Sequence, residues 1–285
     1  MKTSSRWNAS RLSFILLLLA ILLFCSFPHA TQAQETESVL KRVKWQRGPS
    51  DASLGNIAQV QVPPGYVFAD ANDTKLLMED MHNPLSGEER GFLAPDTLEW
   101  FIVFEFSEVG YVKDDEKHSL DADAIFKAIK SGNEKTNEVR RKRGWPALNV
   151  VDWEQKPHYD SETHNLEWAV RFESEGRLVI NYNTRLLGRN GIMRVTLVAE
   201  PSILSETVPK FKTVMNAFAF QQGYKYTEFR KGDKIAQYGL TGLIVGGATA
   251  VAVKTGAFKW LWKVGVAILV GAGALLRKFF RRKEV

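Results

Sequence analysis

Cysteine is nearly absent: Cys25 is the only one in 285 residues. That excludes an internal disulfide framework and any cysteine-built metal cluster. Histidine is sparse too, and none of His82, His118, His158 and His164 belongs to an H-E-x-x-H pair. The chain lacks a G-x-S-x-G nucleophile elbow, a Walker glycine loop and a dinucleotide fingerprint. It also lacks internal repeats and low-complexity linkers. A hydrophobic content of 45% with 25% charged residues is that of an ordinary folded chain, which excludes disorder, collagen and a many-span transporter.

The formal net charge of +6 invites a nucleic-acid reading until the charge is located. Residues 1–33 hold three basic and no acidic groups, and residues 231–285 hold ten basic against two acidic. The remaining 25 basic and 30 acidic residues lie in 34–230, so the central region is mildly acidic. Nucleic acid is therefore excluded as a partner, because the basic footprint belongs to the two ends.

Both ends read as membrane addresses. Lys2, Arg6 and Arg11 precede an apolar run at 12–24, and Thr31-Gln32-Ala33 supplies small residues at an exit. This is the pattern of a secretory signal peptide over 1–33. An uncleaved anchor is the alternative, against which the run is short for a full span. A lipoprotein signal at Cys25 is rejected because Phe24 stands where a small residue is needed.

At the other end, residues 235–253 carry Gln237 as their only strongly polar side chain. Nineteen helical residues reach roughly 28 Å, about one hydrocarbon core. A second apolar run, 264–276, is entered through Lys259, Trp260, Trp262 and Lys263, and Arg277, Lys278, Arg281, Arg282 and Lys283 follow it. The expectation is a periplasmic domain held to the inner (cytoplasmic) membrane through residues 235–283, with the basic C-terminus cytoplasmic under the positive-inside rule. One or two spans fit this pattern. Gly242, Gly246 and Ala250 form a small-residue stripe that would allow helix-mediated oligomerisation.

The central region, 34–230, predicts one α+β domain. Ala58, Val60 and Val62 alternate into a strand, Pro63-Pro64-Gly65 turns the chain, and 100–106 reads as a strand buried on both faces. Residues 78–91 read as a polar loop. Asp121 and Asp123 open a helix over about 120–143 that ends in Arg140, Arg141, Lys142 and Arg143, with Ser131-Gly132 a candidate break. A second helix over about 201–217 begins at Pro201.

Between them, about 163–200 reads as a three-strand antiparallel meander. A three-residue loop, Ser174-Glu175-Gly176, would set Asn183 opposite Glu167 and Arg185 opposite Asn165. One face of the meander is then apolar. The other presents Asn165, Glu167, Arg171, Asn181, Asn183, Arg185 and Thr196. Asn165, Glu167, Asn181, Asn183 and Arg185 are the candidate binding residues, where convergent amides with a Glu and an Arg would take a polar ligand or an envelope protein. The alternative is a solvated face with cross-strand pairs.

For catalysis the best set is His158 with Asp160 and Asp152 or Glu167, on a turn-like segment. Asp114-Asp115-Glu116 resembles a cation-binding cluster but lacks the glycine and terminal Glu of a calcium loop. Neither assigns a catalytic residue, a metal ligand or a cofactor. A non-enzymatic binding or interaction module is the first reading and a membrane-tethered hydrolase the second.

Several longer motifs stand out. They are Gly110-Tyr111-Val112-Lys113-Asp114-Asp115, Asn137-Glu138-Val139-Arg140 before Gly144-Trp145-Pro146, Asn181-Tyr182-Asn183-Thr184-Arg185, and Gly232-Asp233-Lys234 before the apolar run. Through them the chain resembles a bacterial family of uncharacterised membrane-anchored proteins, domain of unknown function 2167. The resemblance implies a Gram-negative exported protein with a C-terminal anchor and assigns no activity.

Overall fold

Alternation along 58–62 carries directly into structure: Ala58, Val60 and Val62 are buried while Gln59 and Gln61 are exposed. The computed structural model describes residues 39–246. Residues 39–42 are helical and belong to a separate unit, and everything below concerns Val43 onward.

In chain order the strands are β1 (Gln46–Arg47), β2 (Ser50–Ser53), β3 (Ala58–Val62), β4 (Tyr66–Asp70), β5 (Glu89–Pro95), β6 (Phe101–Ser107), β7 (Asn149–Asp160), β8 (Asn165–Ser174), β9 (Arg177–Leu187), β10 (Ile192–Ala199) and β11 (Phe218–Phe220). The helices are α1 (Ala71–Asp80), α2 (Ala122–Lys142), α3 (Leu204–Asn216) and α4 (Leu240–Val245). Eight strands form one antiparallel sheet in the order β1-β4-β5-β6-β10-β9-β8-β7, and β11-β3-β2 form a small second sheet.

The large sheet is covered on both sides. Its first face presents Ile102, Phe104, Ile180, Tyr182, Met193, Val195 and Leu197 to the small sheet and to Phe211 and Val214 of α3, which together form the main core. On the opposite face α1 lies against β4 and β5, and α2 packs on β7 and α4. Local chemistry sets the helix starts. The Asp70 carboxylate accepts from the Asn72 and Asp73 N–H groups, and Asp121 does the same for Asp123 and Ala124.

The meander and both expected helices are present, with four differences. First, α2 is continuous through Ser131-Gly132. Asn137 Oδ1 accepts from Leu148 N, its Nδ2 and that of Asn133 donate to Leu148 O, and this packing holds the helix across the glycine. Second, the polar stretch 78–91 is not all loop, since it holds the end of α1 and the start of β5.

Third, the β8–β9 turn contains two residues, not three. Ser174 pairs with Arg177, and Glu175 (φ 51°) and Gly176 (φ 77°) both take the left-handed backbone that a type I′ turn requires. The register therefore slips by one, so Trp168 faces Asn183 and Leu166 faces Arg185. A one-residue slip moves a whole strand's side chains to the other face.

Fourth, among the described residues no helix is long and apolar enough to cross a membrane. Of the expected helix over 235–253 the described part is 235–246, where Ile235 instead forms a parallel bridge with Tyr111 and Leu240–Val245 is helical. Gly246 closes it with φ 83°. Gly242 is packed inside the domain, where an added Cβ would lie 2.7 Å from the Tyr238 Cβ. Residues 1–38 and 247–285, with the signal peptide, Ala250, the second apolar run and the basic tail, lie outside the described residues.

Candidate functional site

The face of the large sheet beneath α2 and α4 carries a row of buried charges. Cross-strand pairing sets Glu89 beside Glu105, Glu105 beside Arg194, and Arg194 beside Arg185. Two carboxylates thus stand next to two guanidiniums across β5, β6, β10 and β9, and all four side chains are buried. Burying charges is costly unless they are paired, so the pairing decides what each one does.

Glu105 and Glu89 are bridged by the Ser86 hydroxyl at 2.5 and 3.0 Å, and Ser86 N donates to Glu89 Oε1 at 2.6 Å. Arg194 Nη2 lies 2.8 Å from Glu105 Oε1 and 3.1 Å from Glu88 Oε2. Burial works against the charged form of Arg194, but the Glu105 and Glu88 carboxylates outweigh it and hold the guanidinium above its usual range.

Arg185 differs. It is only 7% exposed and makes no ion pair among the described residues. Its Nη1 donates to the adjacent Thr184 carbonyl at 3.2 Å, its guanidinium lies 4.5 Å from the Trp168 ring centroid, and its Nε has no hydrogen-bond partner. Burial, then repulsion from Arg194, bring it down to about 9, still cationic at neutral pH.

Arg185 lines a recess with about 30 Å³ of room for a water-sized sphere, or about 480 Å³ when the open solvent at its mouth is counted. Trp168, Val170 and Phe172 of β8 form one wall, Asn181 and Asn183 of β9 the floor, and Ile129 and Asn133 of α2 with Ile244 and Val245 of α4 the cover. Asn181 and Asn133 are 2% and 3% exposed, yet the Oδ1 of each has no hydrogen-bond partner. The Asn133 amide is oriented by its own donor, because Nδ2 gives its hydrogen to Leu148 O at 2.6 Å. Buried polar atoms are nearly always paired in native structures. Here the residues that carry three unpaired ones, Arg185 Nε, Asn181 Oδ1 and Asn133 Oδ1, line one recess.

Of the five sequence-predicted residues, Asn181, Asn183 and Arg185 share this recess. Asn183 Nδ2 donates to Asn181 O, and its Oδ1 accepts from Thr196 Oγ1. Asn165 and Glu167 belong to the opposite face because of the register, with Glu167 paired to Thr184. The two oxygens of Glu167 are taken by the Tyr182 hydroxyl and Lys212 Nζ. Trp168, Asn133 and the α4 residues were not read as site residues. Asn133 carried a usable signal, since Ile125, Ile129, Asn133 and Asn137 recur every four residues and place two amides in an apolar helical stripe.

The His158 set does not assemble. His158 is exposed on β7, a strand and not a loop, opposite a Glu167 that is already engaged. A different cluster lies nearby: the Tyr159 hydroxyl donates to Asp114 Oδ2 at 3.1 Å and is 3.2 Å from His164 Nδ1. Burial and the Asp114 carboxylate raise the Tyr159 phenol far above its usual range, which keeps it a donor. Glu116 Oε2 accepts from Thr241 N at 2.8 Å at the start of α4. Asp114 and Glu116 are thus spent within the fold, and among the described residues no group of three or more His, Cys, Asp or Glu side chains is arranged to hold a metal ion.

Fold and site together define a mixed α and β domain, built on a large antiparallel sheet with a largely apolar recess, holding a few polar groups, between the sheet and its helices. The chain belongs to the family described as protein of unknown function DUF2167, whose profile matches residues 46–276. No curated protein matches its sequence. Among solved structures, the chain is similar to cyanobacterial PsbP from Synechocystis at 13% identity, over 62% of this chain and 92% of that one, with a TM-score of 0.36. It is also similar to the Ran-binding protein Mog1p of Saccharomyces cerevisiae at 9% identity, over 61% and 96%, with a TM-score of 0.33. A third is the type VI secretion immunity protein TplEi of Pseudomonas aeruginosa at 8% identity, over 68% and 86%, with a TM-score of 0.28. At these TM-scores the three likenesses carry no argument about activity.

Proposed function

We propose that this protein is a non-enzymatic binding module of the cell envelope, with the Arg185 recess as its binding site. The observation that carries the reading is that Arg185, Asn181 and Asn133, each with a buried unpaired polar atom, line one recess. Leaving buried polar atoms unpaired costs stability, and a ligand that reached them would offset that cost.

In this reading residues 1–33 direct export and are removed, and the domain works in the periplasm at the inner membrane. In the same reading the membrane crossing would lie beyond Gly246, since Leu240–Val245 packs inside the domain. The twenty residues 257–276 are then the span, with Lys259 and Lys263 near its outer end and the basic tail from Arg277 in the cytoplasm.

The reading is tested in cells by a diazirine-bearing residue at Asn183, with the same residue at exposed Val151 of β7 as the control. A discrete adduct formed only from position 183 is the expected result. Identical labelling from both positions removes the recess as the binding site.

A further inference from the structure

The chemistry of the recess narrows the ligand, and the narrowing rests on the binding reading just given. Along the buried row, Arg194 takes Glu105 and Glu88, whereas Arg185 beside it makes no ion pair among the described residues. Glu105 acts on Arg185 from two strands away and not by direct contact, so the guanidinium has room for one contacting negative charge. A dianion fits poorly, because Glu105 stands only two strands away in the same row and a single guanidinium supplies the countercharge. The guanidinium lies over the Trp168 ring. That leaves its edge, including the unpaired Nε–H, as the donor for a planar acceptor, and guanidinium edges match carboxylates in shape.

The rest of the recess is mainly apolar. Trp168, Val170, Phe172, Ile129, Ile244 and Val245 offer carbon surface around the three polar groups of β9. An ordered water needs two to four polar partners, so most of this lining suits a hydrocarbon body better than water.

We propose that the recess binds an organic monocarboxylate, with its carboxylate on the Arg185 guanidinium and its aliphatic or aromatic body against Trp168, Val170 and Ile129. A free inorganic anion would satisfy Arg185 but leave the apolar walls unused. A neutral amide of the same shape would fill the walls but leave the charge unmatched.

The experiment is calorimetric titration of the full-length protein in a nonionic detergent with hexanoate, acetate, hexanamide and inorganic phosphate. Hexanoate is expected to bind at one site, and affinity to fall about fourfold for each methylene removed towards acetate. Hexanamide is expected to bind at least tenfold more weakly than hexanoate, a comparison that needs no variant. Arg185→Met should lose hexanoate binding by at least tenfold while unfolding at a higher temperature, since an unpaired buried cation is replaced by a side chain of similar length. Arg185→Lys should keep part of the affinity.

Hexanamide binding as tightly as hexanoate, or unchanged hexanoate binding in Arg185→Met, overturns the proposal. Phosphate binding that depends on Arg185, without hexanoate binding, overturns the carboxylate assignment and leaves the recess as a binding site. Absence of all binding, together with a position-183 adduct in cells, overturns the ligand class alone. Absence of both removes the binding module as well.

Discussion

Asn137 illustrates how single side chains settle the backbone of this fold. Its amide accepts from Leu148 N and donates to Leu148 O, both at 2.8 Å, and all of these atoms are buried. Asn137→Ala strands the Leu148 N–H, and leaving a buried donor unmet costs about 1–3 kcal/mol. A loss in that range is expected in urea denaturation of the purified protein.

Asp233 gives a pH-dependent case. The Arg189 guanidinium donates to it twice, at 2.7 and 2.8 Å, and Arg230 N once at 2.7 Å, which brings the carboxyl down to about 2 from the usual 3.8. A carboxyl lowered on folding stabilises fully above its unfolded value, and that contribution is lost as pH falls through the folded one. The stability gap between the protein and Asp233→Asn should be constant near neutrality and should shrink as pH falls from 3.8 to about 2. A gap that does not change with pH would show that the ion pair contributes nothing.

At the scale of elements, the β8–β9 hairpin decides the site. Glu175 holds φ 51° without being glycine or asparagine, which is a strained choice for a type I′ turn. Glu175→Asn is expected to stabilise the protein by about 0.5–1 kcal/mol in chemical denaturation, with no change in the recess. The α2 cap behaves in the opposite sense: Asp121→Ala should cost about 1 kcal/mol.

Much at this level was legible in the residues. The alternation of β3, the meander, the Asp-capped α2 and the Pro201 opening before α3 all follow from local patterns. Helix α1 and strand β5 were not legible, because Asn72, Asp73, Lys75, Glu79 and Asp80 make α1 polar along most of its length. The Ser131-Gly132 break failed for a related reason. A glycine costs a helix about 1 kcal/mol, less than the anchoring of Asn133 and Asn137 on Leu148 contributes.

For the whole molecule, the question is how far along the chain the folded domain extends. The packing continues past residue 230, through the Arg189–Asp233 pair, the Tyr111–Ile235 bridge, the Glu116 contact to Thr241 N and the burial of Leu240, Leu243 and Ile244. A chain ending at residue 230 should therefore be less stable to thermal unfolding than one ending at 246, because it uncovers the buried charge row. Topology gives a further expectation. If residues 257–276 are the span, Thr255→Cys is labelled from the periplasmic side by an impermeant maleimide. Protection of that cysteine would return the crossing to 235–253.

The residues alone determined what is local and periodic: the strands that alternate, the capped helix ends, and the segregation of positive charge to the two ends. Three site residues, Asn181, Asn183 and Arg185, were legible because they lie on one strand, where period two fixes a common face. Only the tertiary structure decided which neighbours share that face. A two-residue turn sets the register of β8, replacing Glu167 with Trp168 beside Asn183. Chain segments about ninety residues apart bring Glu89 and Glu105 into line with Arg194 and Arg185. Register and long-range strand order depend on the turn and on the covering layers, so no local spacing could show that Arg185 would be buried in that row beside Arg194.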